Sequence, residues 1–228
     1  MRELYRTVTS PSRIELEEKK SRFIAVCRPL ASESEASAFV SGIRSAYPDA
    51  THHVYAWILS GETQLQRYSD DGEPQGTAGI PVLDVLRKNG ISQAGIVVIR
   101  YFGGTLLGTG GLVHAYSKAA ALALEAAGPV QMQLCECFRV TVGYPDLDRL
   151  RRQLDSSGLV VTGSQYGMDA ELTIAVPAQD SSLLIQICAD ASAGAALIEP
   201  AGLIYRPLPP PDPPPLLTVL QSTGADSK

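Results

Sequence analysis

Residues 94–111 read AGIVVIRYFGGTLLGTGG and pass from an apolar run into a turn rich in glycine. Residues 94–100 are almost continuously apolar and β-branched, as expected for a strand that is covered on both faces. An apolar stripe at helical spacing follows, and Gly128 and Pro129 close it in the order typical of helix ends. The stripe consists of Leu112, Val113, Tyr116, Ala119, Ala120, Ala123 and Leu124. This stretch predicts a strand, a glycine turn and a helix within a mixed α+β domain.

Two more helices are predicted upstream. Ser32 and Glu35 have the spacing of a capping box, and apolar residues then recur at helical intervals until Pro48 ends the run. Pro81 and Gly90 bracket a second, shorter helix in the order expected for a helix start and a helix end.

A hairpin is predicted between these two helices. Residues 52–59 and 64–69 have strand-like composition, and the polar segment 60–63 joins them. The hairpin leads into a polar loop at 70–77, which carries several of the candidate site residues.

The second half of the chain predicts a βαββαβ domain of the ferredoxin-like type. The predicted elements are strands at 138–143, 159–163, 170–176 and 203–206 and helices at 146–157 and 181–191. We place the domain boundary after Gly128, which gives domains at 1–128 and 129–206. Residues 207–228 begin with PLPPPDPPP and predict a disordered tail. We expect deletion after Arg206 to leave stability nearly unchanged.

Composition and charge limit the possible functions. The chain has 228 residues, of which 45% are hydrophobic, so two folded domains are expected. Residues 1–128 hold 13 basic and 13 acidic side chains, whereas 129–228 hold 6 and 11, so the net charge of −5 lies in the second half. An anionic partner such as RNA is therefore expected to bind residues 1–128. The polar N-terminus and the lack of a long apolar helix predict a cytoplasmic protein whose 4 cysteines are thiols.

The glycine turn offers one candidate site. Its backbone N–H groups stand between a strand and a helix, where an anion is favoured. Gly103 and Gly108 have Walker A spacing, but Thr109 occupies the position of the lysine, and Val113 stands where a dinucleotide fingerprint needs glycine. Tight turns and close backbone packing explain the glycines equally well. The candidate anion-binding residues are Gly103, Gly104, Gly108, Gly110 and Gly111.

The loop 70–77 offers a second candidate site, because Asp70, Asp71 and Glu73 bring three carboxylates together. Such a group suits a metal ion or acid–base chemistry, but the spacing matches no EF-hand and a solvated turn is the more common explanation. The sequence therefore predicts no metal site.

The histidines and the cations complete the candidate set. His52 and His53 are adjacent on a predicted strand, so their side chains point to opposite faces and only one of them can face a given site. Four cations near strand ends and loops are more often surface residues than ligands, but together they could face a phosphate: Arg22, Arg67, Arg100 and Lys118. No Gly-x-Ser-x-Gly, HExxH or Cys-x-x-Cys motif occurs, so covalent and zinc chemistry lose support and no cofactor is predicted.

Several segments together resemble the signature of the Impact/YigZ family. They are Lys20–Ala25 (KSRFIA), Asp49–His53 (DATHH), Ser69–Gly79 (SDDGEPQGTAG), Arg100–Gly104 (RYFGG) and Leu107–Tyr116 (LGTGGLVHAY). The combination is highly specific and covers about residues 16–128. The second half is similar to the smaller C-terminal domain of bacterial members.

The resemblance implies a first domain like domain 2 of ribosomal protein S5 and a second domain like the last domain of elongation factor G. Eukaryotic Impact proteins are translational regulators that limit activation of an initiation-factor kinase, and they carry an added N-terminal RWD domain. The 20 residues before the signature are too few for that domain, so we expect the kinase-regulatory role not to transfer.

Two functional hypotheses follow. The first is a non-catalytic factor that regulates translation by binding RNA, the ribosome or a translation factor through the face with Arg22, His52, Asp70, Arg100 and the glycine turn. The alternative is an enzyme that acts on a phosphorylated small molecule, which requires the same groups to converge in one pocket. The sequence leans towards the first.

Arg100 has two possible roles. It could clamp an anion together with the N–H groups of Gly103 and Gly104, or it could be a structural arginine paired with Asp70 or Asp71.

Overall fold

Two antiparallel sheets, each packed against helices, make up the described part of the chain. The computed structural model describes residues 4–60 and 64–208. In chain order the elements are β1 (Leu4–Val8), β2 (Ser12–Glu18), β3 (Ser21–Pro29), α1 (Glu33–Ala46), β4 (His52–Ser60), β5 (Gln64–Ser69), α2 (Gly79–Lys88), β6 (Ala94–Tyr101), α3 (Gly108–Ala126), β7 (Pro129–Val142), α4 (Tyr144–Ser157), β8 (Val160–Tyr166), β9 (Ala170–Pro177), a 3-10 turn (Ala178–Asp180), α5 (Ser181–Ser192) and β10 (Leu197–Pro207). The predicted α+β class is confirmed.

The first sheet has the strand order β2-β3-β6-β4-β5 and places β6 at its centre. Seven of the eight residues of β6 are buried, as the β-branched run predicts for a strand covered on both faces. Helices α2 and α3 cover one face, where Val98 packs with Tyr116, and α1 covers the other, where Ile99 packs with Phe39. Even-numbered side chains of β6 therefore point towards α2 and α3, and odd-numbered ones point towards α1.

The helix predictions agree with the structure in type and approximate extent. The Ser32 side chain accepts a hydrogen bond from the N–H of Glu35 at 3.2 Å, as a capping box requires. The Glu35 carboxylate bonds the N–H of Ala31 at 2.6 Å, one residue before the cap. One detail of the α3 stripe is wrong, because Val113 is 40% exposed and lies outside the buried face.

The second sheet is organised around β7, which pairs with β9 and β10 in the order β10-β7-β9-β8. Helices α4 and α5 pack on one face through Leu150, Leu154 and Leu184. This order confirms the predicted ferredoxin-like arrangement. Strand β7 begins at Pro129, earlier than the predicted residue 138, and β10 begins at Leu197 instead of 203.

Three strands near the N-terminus are not predicted by the sequence patterns. Strand β2 is an edge strand in which Ile14 and Leu16 pack inwards while charged residues alternate outwards, and its glutamates lower the apparent strand propensity. Strand β3 is buried beside β6.

Strand β1 belongs to the second sheet although it lies in the first half of the sequence. It pairs with β7 from Leu4 opposite Gln133 to Val8 opposite Pro129. The division after Gly128 stays a prediction, and β1 is a strand that crosses it.

Some features predicted from the sequence fall at the limits of the described residues. Pro207 is still paired with Met132, and the N–H of Leu208 donates to the Gln131 carbonyl at 2.8 Å, so the strand runs past Arg206. The predicted tail from residue 209 onwards and the hairpin residues 61–63 lie outside the described part. Among the described helices, none is both long enough and apolar enough to span a bilayer.

Candidate functional site at the end of the first sheet

Most of the candidate residues gather at one end of the first sheet. Arg100 lies near the end of β6, with Phe23 of β3 on one side and His52 of β4 on the other. The loop 70–77 and the start of the glycine turn close over this end. Because cross-strand neighbours share a face, the side chains of Phe23, His52 and Arg100 all point towards α3.

Arg100 is held in a buried polar network. Its side chain is only 6% exposed, and Nη1 donates to Oε1 of Glu73 at 2.6 Å. Nη2 donates to the hydroxyl of Ser21 at 3.2 Å. The guanidinium carbon also lies 5.5 Å from the ring centroids of Phe23 and Phe102. The partner is Glu73, so the predicted pairing of Arg100 with Asp70 or Asp71 is wrong.

Glu73 and Tyr116 complete the network. The Tyr116 hydroxyl donates to the same Oε1 of Glu73 at 2.7 Å, and both side chains are buried. Burial, followed by the charge of Glu73, raises the pKa of Tyr116 well above its usual value, so the phenol remains a donor at physiological pH. Oε1 of Glu73 therefore accepts one hydrogen bond from a cation and one from a neutral hydroxyl, and these bonds compensate the carboxylate for its loss of water.

His52 and His53 lie on opposite faces, as the strand period predicts. His52 Nδ1 lies 2.8 Å from the carbonyl of Asp71, which makes Nδ1 the donor and leaves Nε2 3.8 Å from Oε1 of Glu73. His53 lies on the α1 face, where Nε2 donates to the carbonyl of Tyr47 at 2.9 Å. His52 is thus the histidine that borders the network.

Asp71 joins the loop to α1 on the far face. Its Oδ1 bonds Arg44 at 2.6 Å, and its Oδ2 accepts the backbone N–H of His53 at 2.7 Å. The residue has a φ of +45°, an uncommon conformation that aspartate tolerates better than most residues. Both carboxylate oxygens are therefore engaged in fastening the loop.

Asp70 serves the start of α2. Its Oδ1 accepts the N–H groups of Ala78 at 3.1 Å and Gly79 at 2.8 Å, and its Oδ2 accepts the N–H of Gly76 at 2.9 Å. These donors would otherwise be unpaired at the positive end of the helix dipole. The Asp70 carboxylate replaces the side-chain cap that Ala78 cannot supply.

The first part of the glycine turn is fixed by close packing. The N–H of Gly103 donates to the Ser21 hydroxyl at 3.3 Å, and the N–H of Phe102 donates to the Thr51 hydroxyl at 3.0 Å. A Cβ at Gly103 would lie 2.0 Å from the carbonyl oxygen of Lys20. The packing explanation therefore accounts for Gly103.

The second part of the turn is open. Gly104 and Gly108 have φ values of +80° and +74°, and a Cβ added at either position or at Gly110 would have no atom within 4 Å in the described residues, apart from its chain neighbours and the backbone of its own helix. Within residues 4–60 and 64–208, the N–H groups of Gly108, Thr109 and Gly110 find no acceptor. Gly111 is the fourth residue of α3, and a Cβ added there would lie 3.0 Å from the Cβ of Leu107. This part keeps the free donors that the anion-binding interpretation needs.

Two of the predicted cations, Arg22 and Lys118, do not join the network. Arg22 shares the α1 face with Ile24 and pairs at the surface with Glu15 at 2.6 Å, its guanidinium lying over the ring of Tyr101. Lys118 is exposed on α3, ten residues after Gly108, which corresponds to about 15 Å along the helix axis.

Sequence reasoning missed Ser21 and Tyr116 as members of the network. Both belong to the segments that carry the family resemblance, but Tyr116 fits the apolar stripe of α3 and Ser21 has no distinguishing spacing. Their polar role depends on Glu73, which comes from a loop that is 43 residues away from Tyr116 in sequence. No local signal identifies such a contact.

The arrangement of charges bears on the two functional hypotheses. Asp70 lies at the start of α2, Asp71 on the α1 face and His52 on the α3 face, and both carboxylates are occupied. This dispersal counts against an enzyme that needs these groups in one pocket. In the described part of the chain, no three His, Cys, Asp or Glu residues are placed to hold a metal ion.

Comparison with known proteins assigns the chain to a family. The model of the Impact N-terminal domain matches residues 19–124. The chain is 31% identical to IMPACT family member YvyE of Bacillus subtilis (strain 168) over 201 residues, which are 88% of this chain and 93% of that protein. The chain belongs to the IMPACT family. The resemblance seen in the sequence is thereby confirmed.

Other IMPACT relatives extend the match through the second half. A model of a domain of unknown function, DUF1949, matches residues 140–195. The chain is 35% identical to IMPACT family member YigZ of Escherichia coli (strain K12), covering 81% of this chain and 92% of YigZ. A solved structure, described as the crystal structure of an hypothetical protein, is 34% identical with a TM-score of 0.57 and covers 87% of this chain and 97% of that chain. Both domains therefore have counterparts in this family.

Proposed function

We propose that this protein is a non-catalytic, translation-associated factor that binds the ribosome through RNA contacts at the end of its first sheet. The observation that carries the proposal is that this end of the sheet has two kinds of group, some engaged in internal contacts and others exposed. The charged side chains of Asp70, Glu73 and Arg100 are occupied inside the molecule, whereas the open part of the glycine turn and its neighbours are exposed.

The occupied charges argue against catalysis. A general acid or base must be free to exchange a proton with a substrate, but Glu73 is buried under Arg100 and Tyr116. Asp70 and Asp71 each accept hydrogen bonds at both carboxylate oxygens. These contacts hold the loop, the strand end and α2 in place, which is what a rigid binding surface requires.

The exposed groups suit a nucleic acid. Lys19 and Lys20 form the tight turn between β2 and β3 and are exposed, and Lys20 packs against Gly103. Phe102 is 45% exposed and has the Arg100 guanidinium near its ring. Lysines that meet phosphates, free N–H groups and an aromatic ring on which a base can stack are the usual components of single-strand recognition.

Charge distribution supports the same location. Residues 1–128 are neutral overall and the second half carries the net −5, so a polyanion is repelled less by the first domain. The proposal therefore assigns recognition to the first domain and leaves the second to modulate or exclude partners.

Co-sedimentation with purified ribosomes over a salt series tests the proposal. The full-length protein is expected to sediment with ribosomes at low salt and to be released as salt rises, because phosphate contacts displace counterions. The double variant Lys19→Glu, Lys20→Glu is expected to bind about tenfold more weakly, or about 1.4 kcal/mol, because two phosphate contacts are lost.

The matched control reverses two other exposed lysines of the same domain, Lys88→Glu and Lys118→Glu. It changes the net charge equally and is expected to retain most of the binding. Equal loss in both double variants would show that only net charge matters, and no binding by the wild type at low salt would refute the proposal.

A further inference from the structure

A cleft of about 600 Å³ lies between the two domains, away from the end of the first sheet described above. Its walls come from both sheets, with Arg28 of β3 and Leu30 directly after that strand on one side and Val130 and Met132 of β7 on the other. Strand β1, which pairs with β7, also lines it through Tyr5 and Thr7. Small-molecule sites are commonly clefts of roughly 300–1,000 Å³ and are common at domain interfaces.

Arg28 is the unusual residue of this cleft. Its guanidinium carbon lies 5.6 Å from the ring centroid of Phe39 on α1, which supports the stem from one side. The residue is half-buried, and its Nε is buried without a hydrogen-bond partner among residues 4–60 and 64–208. A buried N–H without an acceptor is unfavourable, so this nitrogen beside an open cleft points to a ligand that supplies the acceptor.

Gln93 adds a second observation. It has a φ of +55°, which is a strained conformation for a residue other than glycine, asparagine or aspartate. The strained backbone is held by two bonds to its carbonyl, from the N–H of Leu30 at 2.8 Å and from the hydroxyl of Thr7 at 3.1 Å. Its Oε1 accepts a hydrogen bond from the N–H of Ser60 at 3.2 Å. That bond does not use the NH₂ group of the Gln93 amide, which is a hydrogen-bond donor on a side chain that lines the cleft.

We propose that this cleft binds a small monoanionic carboxylate with an apolar body. The carboxylate pairs with the guanidinium of Arg28, whose planar fork matches two carboxylate oxygens, and the amide of Gln93 supplies a further donor. The apolar body packs on Leu30, Val130 and Met132. This site is separate from the proposed contact with RNA and does not depend on it.

The charge of the lining favours a monoanion over a phosphate. Glu35 also lines the cleft, so its ionisable side chains sum to one positive and one negative charge. The Glu35 carboxylate is engaged by the N–H of Ala31 at 2.6 Å and does not neutralise Arg28. A single carboxylate is matched by the one guanidinium, whereas a dianion would bring a second negative charge for which the lining offers no cation.

Titration of the full-length protein with phenylacetate and phenylacetamide tests this inference, with ligand-observed saturation-transfer NMR as the readout. The two probes have nearly the same shape and differ in charge. Phenylacetate is expected to bind saturably, and phenylacetamide is expected to bind at least about tenfold more weakly because it cannot form the charge-assisted pair. This comparison uses only the wild-type protein and does not depend on any variant folding.

Arg28→Met provides the second arm, since methionine keeps an apolar stem on Phe39 and removes the cation. Arg13→Met is the matched control, because Arg13 is an exposed arginine on β2 that does not line the cleft. The first variant is expected to lose phenylacetate binding about tenfold and the second to keep it, with thermal melting confirming that both fold. Equal binding of the two probes, unchanged binding in Arg28→Met, or no saturable binding of phenylacetate at millimolar concentration would each overturn the proposal.

Discussion

Arg100 shows how a residue with a functional appearance can serve the fold. Its position before a glycine turn suits an anion clamp, yet its Nη atoms are used by Glu73 and Ser21 and its side chain is almost fully buried. A buried ion pair adds little net stability over an apolar pair, but removing one partner leaves a charge without compensation. The stability of the variant therefore distinguishes a structural arginine from a binding one.

Replacing Arg100 with alanine is expected to lower the free energy of unfolding by about 3–5 kcal/mol, because Glu73 would remain buried and lose its cation. Urea denaturation followed by circular dichroism measures this change. Arg22→Ala is the control, since the Arg22–Glu15 pair is exposed at the surface and should change stability by about 1 kcal/mol or less. A stable Arg100→Ala variant with weakened ribosome binding would instead assign Arg100 to the partner.

At the scale of the element, the glycine turn consists of two parts with different requirements. Gly103 lies against the backbone of Lys20, where there is no room for a Cβ, whereas Gly110 is in the first turn of α3 with open space around it. A clash with backbone cannot be relieved by a rotamer change, so it must shift the β2–β3 turn or the glycine turn. The two glycines thus have opposite tolerances for the same substitution.

Gly103→Ala is expected to lower the free energy of unfolding by about 1–3 kcal/mol or more, and Gly110→Ala is expected to be neutral or to stabilise by about 0.5–1 kcal/mol, as alanine does in helices. Thermal and urea unfolding of the two variants measures the difference. If Gly110→Ala is stable yet reduces ribosome binding, the open part of the turn is part of the contact. Equal stability of both variants would contradict the packing explanation of Gly103.

At the scale of the whole molecule, β1 joins the two domains. It pairs with β7 in the second sheet, while Val8 is buried in the core of the first domain between the sheet and α3. The N–H of Ser92 donates to the carbonyl of Arg6 at 2.8 Å, and the N–H of Thr9 bonds the carbonyl of Ala127 at 3.1 Å. Loosening this strand should therefore affect both domains.

Val8→Ala is expected to lower the free energy of unfolding by about 1–3 kcal/mol through the loss of buried methyl groups. Hydrogen exchange should then speed up at residues 129–133 of β7 and at Ser92, on opposite sides of β1. Leu4→Ala is the control, because Leu4 is 45% exposed at the far end of the strand and should change stability by about 0.5 kcal/mol or less. Faster exchange confined to one domain would contradict the linking role of β1.

The sequence predicted best those elements whose pattern is complete within one segment of the chain. Strand β6, helix α3 and the βαββαβ order depend on periodicities within one segment, and the structure agrees with them. Strands β1 and β2 carry weak local patterns and form because β7 and β3 lie beside them. The candidate residues were chosen from motif spacing and from their place next to predicted strands and turns, and these do not say that Asp70 caps α2 while Glu73 meets Arg100.

The sequence by itself determined the α+β class, the family and several of the residues at the end of the first sheet, because these depend on motifs and spacing along the chain. Only the tertiary structure decided which of these residues are engaged inside the molecule and which are exposed. Arg100, Glu73 and Tyr116 meet from a strand, a loop and a helix, and each satisfies a polar group that burial would otherwise make unfavourable. Satisfying buried polar groups is a requirement of the whole fold, so the partner of each charge is fixed only when the sheet, α3 and the loop 70–77 pack together.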